Sequence, residues 1–520
     1  MRARRGRPRY GTTPFVSPPA RSHQAQTHIS NRSDGLNVAR LLLPVIRWDA
    51  ENGFEGFRES IERGLELGVG GFILFGGEAR AVRALTDELH RRAPHPLLIA
   101  SDLERGAGQQ FRGATPLPPA AALGSLDDEA LAERAGELTA REARALGVNW
   151  IYAPVADVDL EPENPIIGVR AFGSAPDGVA RQVAAWVRGC TRGGALSCAK
   201  HFPGHGRTVG DSHIERPTVR VSREQLEQDL APFRAAIGAG VDSLMTAHVA
   251  YPALDPEGRP ATLSPPIIGG LLRGELGYGG LVVTDAIIME GMTEGGSEAT
   301  ASVEALAAGC DALLYPQDNE AVIAEVRAAV GDGRLPRERV EDALRRIAEA
   351  AERVAGPAGG GWGADDDRRW ALETAVRTLR VCRGEPRLPA GRVRIEEIED
   401  DGGGPWPPYP RHAFPAALQA AGVEVADDGA PLVVLYSDIR AWKGRPGISA
   451  AARARVRELT AAHPEATVVL FSHPRLASDI PTAGNLLAAW GGEGIMQEAA
   501  VAWLTGQTGG MVGLGGGLDR

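Results

Sequence analysis

Cysteine is scarce in this chain, with four in 520 residues. Cys190, Cys198, Cys310 and Cys382 lie in or beside apolar segments and form no C-x-x-C pair. That pattern argues against a disulfide framework and against zinc ligation. Buried free thiols in a reducing compartment, the cytoplasm, are the expectation. Long apolar runs are also missing. None approaches the roughly 18 residues that a membrane span requires, so no membrane partner is expected. Excess positive charge is missing too: 67 acids against 56 bases leave a formal net charge of −11. That balance argues against nucleic acid as the partner. Glycine (66) and proline (37) are plentiful but follow no collagen-like period, and they read as turns and cradling loops.

What the chain does have is ordinary globular composition, 43% hydrophobic and 24% charged, and length for about two or three domains. Charge is uneven along it. Residues 1–36 carry seven arginines (2, 4, 5, 7, 9, 21 and 32) against one acid, Asp34. This basic tail has no apolar stretch after Arg4-Arg5 and does not read as a secretory signal. A disordered extension or an over-extended start is expected there, with a nucleic-acid or surface tether as the alternative.

From 37 to 355, short apolar runs alternate with amphipathic stretches. The runs at Leu41–Ile46, Val69–Phe75, Leu97–Ser101, Trp150–Val155, Ala195–His201, Ser243–His248, Leu281–Asp285 and Ala312–Tyr315 suit buried parallel strands. Helical patterns separate them, some opening on caps such as Ser222 and Ser297. Eight such units over about 300 residues predict a closed (β/α)8 barrel rather than an open doubly wound sheet. Asp102, Asp157, Lys200-His201, His248 and Asp285 follow successive runs. In a barrel those positions gather at the C-terminal face, where catalytic sites lie. Residues 356–367 read as a linker, and 368–520 as a smaller α/β sandwich domain with strands at Leu432–Tyr436, Thr467–Phe471 and Leu486–Ala489.

The densest chemistry is the run Lys200-His201-Phe202-Pro203-Gly204-His205-Gly206-Arg207-Thr208-Val209-Gly210-Asp211-Ser212-His213. Its glycines and proline imply a shaped loop rather than a helix. The spacing matches no zinc pattern and Lys200 would repel a cation, so hydrogen-bond chemistry on a hydroxyl-rich ligand is preferred to a metal. Lys200 and His201 can donate to sugar oxygens. Asp211 and His213 can face each other, the carboxylate fixing the imidazole tautomer for proton exchange with a leaving group. Asp285, a lone acid after an apolar strand, can act as a nucleophile in the barrel mouth.

At these motifs the chain resembles glycoside hydrolase family 3, in its β-N-acetylglucosaminidase branch. The resemblance rests on A-S-D-L-E at 100–104, A-P-V-A-D-V with N-P-I-I-G-V-R-A-F-G at 153–173, K-H-F-P-G-H-G with D-S-H at 200–213, M-T-A-H-V at 245–249 and V-T-D-A-I-I-M-E-G-M at 283–292. It implies that Asp285 forms a covalent glycosyl-enzyme and that His213, paired with Asp211, is the general acid/base. It also implies that Asp102, Arg170, Lys200 and His201 hold the sugar, with His248 supporting them from behind. A retaining mechanism needs such a nucleophile and such a proton donor on opposite faces of the sugar.

One departure stands out. Arg105 and Ala107 replace the family's usual glycine and arginine after the third strand. That side of the pocket is expected to differ, unless Arg105 compensates from a shifted backbone. Glu493, in the second domain, is expected to have a packing or solubility role. The reading is therefore a retaining exo-β-N-acetylglucosaminidase acting on a small amino-sugar glycoside, without cofactor or metal; the sequence leaves the oligomeric state open, with a monomer favoured. The alternatives are a β-N-acetylglucosaminide phosphorylase, a β-glucosidase or β-xylosidase, and a non-catalytic carbohydrate-binding protein.

Overall fold

The computed structural model describes residues 36–210, 212, 216–289, 292, 296–356, 359–401, 409–439, 443 and 445–507. Asp211 and His213, the Arg-rich stretch 1–35 and the Gly-rich end 508–520 lie outside the described residues. Among the described residues no helix is long and apolar enough to cross a membrane.

The first nine strands are short: β1 (Leu42–Leu43), β2 (Val45–Arg47), β3 (Gly71–Phe75), β4 (Leu98–Ser101), β5 (Trp150–Ile151), β6 (Leu196–Phe202), β7 (Ser243–Thr246), β8 (Leu281–Thr284) and β9 (Leu313–Leu314). Strands β2 to β8 pair in sequence order, all parallel. Ala312 bridges to Val283 on β8, and β9 pairs with β1, which runs through Pro44 into β2. The ring thereby closes as a barrel of eight positions. Nearly every strand residue is buried, because helices cover the outside while side chains fill the inside. Inside, Trp150 Nε1 donates to Ser243 Oγ across the barrel at 2.8 Å.

The outer helices form where apolar residues recur at helical spacing. Arg337–Arg353 buries Val340, Ala343, Ile347, Ala350 and Ala351 along one stripe and turns its charges outward. Both sequence-predicted caps are present. Ser222 Oγ accepts from Gln225 N in a full capping box, and Ser297 Oγ accepts from Thr300 N.

The second domain is built on β10 (Arg380–Arg383), β11 (Val393–Glu399), β12 (Ala430–Tyr436), β13 (Thr467–Phe471) and β14 (Asn485–Ala488), in the order β10-β14-β13-β12-β11. Only β10 is antiparallel. Helices cover both faces. Ala450–Ala462 closes one small core, whereas the other face joins the barrel core in one apolar cluster. Strands β10 and β11 are additional to the three that the sequence predicts. Both are charged edge strands, Arg394, Glu396, Glu397 and Glu399 giving β11 no apolar run to recognise. Asp365–Asp367, read from sequence as the end of the linker, form the first turn of a helix to Thr378, where acidic side chains favour the positive end of the helix dipole.

Candidate active site

At the end of β4 the chain presents Asp102 and Glu104, and at the end of β6 Lys200 and His201. Lys200 Nζ lies 2.6 Å from Asp102 Oδ1 and 2.8 Å from Glu104 Oε1. Arg170, in the loop after β5, holds Glu104 with two parallel bonds, Nη2 to Oε1 at 2.7 Å and Nε to Oε2 at 2.9 Å. The four charges form a chain of alternating sign. Burial alone would raise the Glu104 carboxyl, but Arg170 and Lys200 hold it well below its ordinary value. Burial would likewise strip the proton from Lys200, yet Asp102 and Glu104 raise its pKa and keep it an ammonium. Side-chain exposure is 2% for Lys200 and 6% for Glu104 but 28% for Asp102. Asp102 is therefore the outermost member and the one a ligand reaches first.

His201 is oriented from below. Its Nδ1 lies 2.7 Å from Asp157 Oδ2, which assigns the proton to Nδ1 and leaves Nε2 for a ligand hydroxyl. The other Asp157 oxygen accepts the backbone N–H of His201 at 3.1 Å and of His205 at 2.6 Å. One buried carboxylate thus pins the strand end and the loop together. His205 continues inward, with Nδ1 2.8 Å from Thr208 Oγ1 and Nε2 3.0 Å from Ser212 Oγ. Burial, and then His201 beside it, push its pKa down to about 4. Gly206 packs its backbone onto the β5 loop so closely that a Cβ there would stand 1.7 Å from the Val158 carbonyl oxygen. Arg207 reaches Asp229 at 2.8 Å, and the Tyr251 hydroxyl donates to the Gly204 carbonyl at 2.7 Å.

Asp285 closes the ring at the end of β8, its Oδ1 accepting from Ala286 N at 2.7 Å. His248, after β7, is fully buried. Its Nε2 donates to the Ala286 carbonyl at 3.1 Å and its Nδ1 lies 2.8 Å from Thr262 Oγ1, so it braces the backbone that carries Asp285. The barrel mouth therefore gathers Asp102, Arg170, Lys200, His201 and Asp285, with His248 beneath. Glu104 and Asp157 are as central to the geometry as any of them, yet neither received a role from the sequence. Glu104 was recognisable by its place two residues after Asp102, and Asp157 as another strand-end acid. Among the described residues no group of three or more His, Cys, Asp or Glu could hold a metal ion.

Arg105 reaches the second domain. Its guanidinium pairs with Glu493 of the second domain and lies 5.7 Å from the Tyr409 ring centroid. Glu493 is thus tied up in an ion pair between domains, which goes beyond the expected packing or solubility role. A second bridge joins Asp159, beyond β5, to Arg475, beyond β13, at 2.5 Å.

Comparison with known proteins gives the same picture. Residues 58–350 match the family model described as the glycosyl hydrolase family 3 N terminal domain. A beta-hexosaminidase of Alkalilimnicola ehrlichii is 42% identical over 289 residues, which are 53% of this chain and 82% of that protein. A beta-N-acetylglucosaminidase/beta-glucosidase of Cellulomonas fimi is 34% identical over 359 residues, 65% of this chain and 63% of that one. Among solved structures, a glycoside hydrolase family 3 beta-N-acetylglucosaminidase from Paenibacillus sp. str. FPU-7 superposes with a TM-score of 0.80 at 32% identity, covering 91% of this chain and 96% of its own.

Proposed function

The chain belongs to glycosyl hydrolase family 3 and is a glycoside hydrolase; from that premise we propose that it is a retaining exo-β-N-acetylglucosaminidase. Its substrate is a small glycoside with a terminal β-linked N-acetylglucosamine. The observation that carries this reading is the lattice Asp102–Lys200–Glu104–Arg170, presented by the same barrel whose β8 ends on the Asp285 carboxylate. The lattice offers fixed donors and acceptors to sugar hydroxyls, and its charges compensate one another so that a neutral ring can be bound.

In the proposed reaction Asp285 attacks the anomeric carbon as the bond to the leaving oxygen breaks, and His213 gives that oxygen its proton. A glycosyl ester on Asp285 results. Water, deprotonated by the same imidazole, then opens the ester and restores both groups. Asp211 keeps His213 in the donating tautomer. The similarity to a β-N-acetylglucosaminidase over nearly the whole length of both chains supports the choice of sugar. The four free thiols support a reducing compartment, where the enzyme would recycle amino-sugar fragments of cell wall or chitin.

Asp285→Asn should abolish turnover of an aryl N-acetyl-β-glucosaminide while leaving the thermal unfolding midpoint within a few degrees of wild type. Near-normal activity would remove Asp285 from the nucleophile role. The same assay run with and without inorganic phosphate separates hydrolysis from phosphorolysis. Rates and products insensitive to phosphate are expected, and accumulation of a sugar 1-phosphate would overturn the hydrolase reading.

A further inference from the structure

Tyr152 lies two residues along from Trp150, so the two side chains leave the same face of the chain. Trp150 crosses the barrel interior to Ser243 on β7, which makes that face the inner one. Tyr152 therefore occupies the next interior layer towards the mouth, its ring edge-on to Trp150 with 5.0 Å between centroids. The side chain is completely buried, and its hydroxyl has no hydrogen-bond partner among the described residues. A buried tyrosine ordinarily finds such a partner, and an unmet hydroxyl is a net penalty that phenylalanine would avoid. The titratable groups whose charges act on it are Cys198 on β6, Asp102 beyond β4 and Asp285 beyond β8. Burial, and then those neighbours, push the phenol well above its ordinary value, so it keeps its proton and can only donate to a carboxylate. Asp102 already receives the Lys200 ammonium, and a neutral hydroxyl adds little there.

We propose that Tyr152 is a positioning residue for Asp285: once sugar fills the mouth, its hydroxyl donates a hydrogen bond to the Asp285 carboxylate and holds it ionised and aimed at the anomeric carbon. Such bonds are often long without substrate and tighten in the complex. The inference rests on the assignment of Asp285 as nucleophile.

Tyr152→Phe tests it on the full-length enzyme with an aryl N-acetyl-β-glucosaminide. Loss of one hydrogen bond to a charged group should lower kcat roughly 10- to 100-fold. The acid limb of the kcat profile, which reports the substrate-bound enzyme, should move to higher pH, because the ionised carboxylate has lost a donor. The unfolding midpoint should stay level or rise, since the hydroxyl satisfied nothing in the empty barrel. Wild-type activity, or an activity loss with an unmoved acid limb, overturns the proposal. Asp285→Asn assayed alongside keeps the two readings apart. An inactive Asp285→Asn beside a wild-type-like Tyr152→Phe sinks only the positioning role, whereas an active Asp285→Asn sinks the nucleophile assignment itself.

Discussion

Glu104 shows how much of the pocket depends on a single side chain. It is the shared partner of Arg170 and Lys200, and both cations lose a buried carboxylate if it is neutralised. Breaking a buried ion pair from one side typically costs about 3–5 kcal/mol, because the remaining charge stays desolvated. Glu104→Gln is therefore expected to lower stability on that order in urea unfolding, and to raise KM for aryl glycosides at least about tenfold by letting Lys200 swing towards Asp102 alone. Unchanged stability together with unchanged KM would show that the lattice is held by its other members. Local chemistry revealed Asp102, Lys200, His201 and Asp285 as strand-end polar residues. The pairing that makes Glu104 indispensable joins residues 66 and 96 positions apart, beyond the reach of any local pattern.

The loop that follows β6 is the element on which the site turns. Phe202 to Gly210 is rich in glycine, and its shape is set by contacts to three other segments: Asp157 and Val158 after β5, Asp229 on the helix Arg223–Gly238, and Tyr251 after β7. His205 is its buried peg. Its folded pKa, lowered to about 4 by burial, lies below the ordinary value of 6.5. As pH falls below about 6.5 the unfolded chain takes up a proton that the folded chain refuses. Stability therefore drops progressively towards about pH 4, by about 1.4 kcal/mol per pH step inside that window, and by no more below it. His205→Gln should flatten the fall of the unfolding midpoint between pH 6.5 and 4.5. A slope identical to wild type would remove His205 as the acid-sensitive peg. The loop was legible as a loop from its glycines, whereas its anchors were not, since each lies on a different strand connection.

For the molecule as a whole, the two domains meet with C-terminal strand ends facing each other. Arg105 and Asp159 come from the barrel, and Glu493 and Arg475 from the second sheet. Both members of the Arg105–Glu493 pair are nearly buried, and neither the Arg105 Nε nor the Glu493 oxygens meet hydrogen-bond geometry with another described group. Asp438, close by, is pushed up by burial and by Asp401, and Arg105 is the largest influence pulling it back down. Arg105→Ala should therefore destabilise the chain by about 3 kcal/mol in urea unfolding, and adding Glu493→Gln should recover a good part of it. Additive losses in the double variant would show that the pair carries no coupling. Arg105 ties the barrel to the second domain through Glu493, whereas Arg170 and Lys200 share Glu104 in the barrel mouth.

The sequence by itself determined the strand–helix alternation, the closure of eight units, the strand-end polar residues and the family. Each of these follows from local periodicity, or from residue types at fixed short spacing, which a linear chain displays openly. Only the tertiary structure decided that Glu104 and Asp157 are the hubs of the pocket, that the Tyr152 hydroxyl is buried without a partner among the described residues, that β10 and β11 complete the second sheet and that Arg105 belongs to the domain interface. These depend on which distant segments become neighbours when the ring closes, and on the desolvation that closure imposes on buried charges. Neither property is written at any one position of the chain.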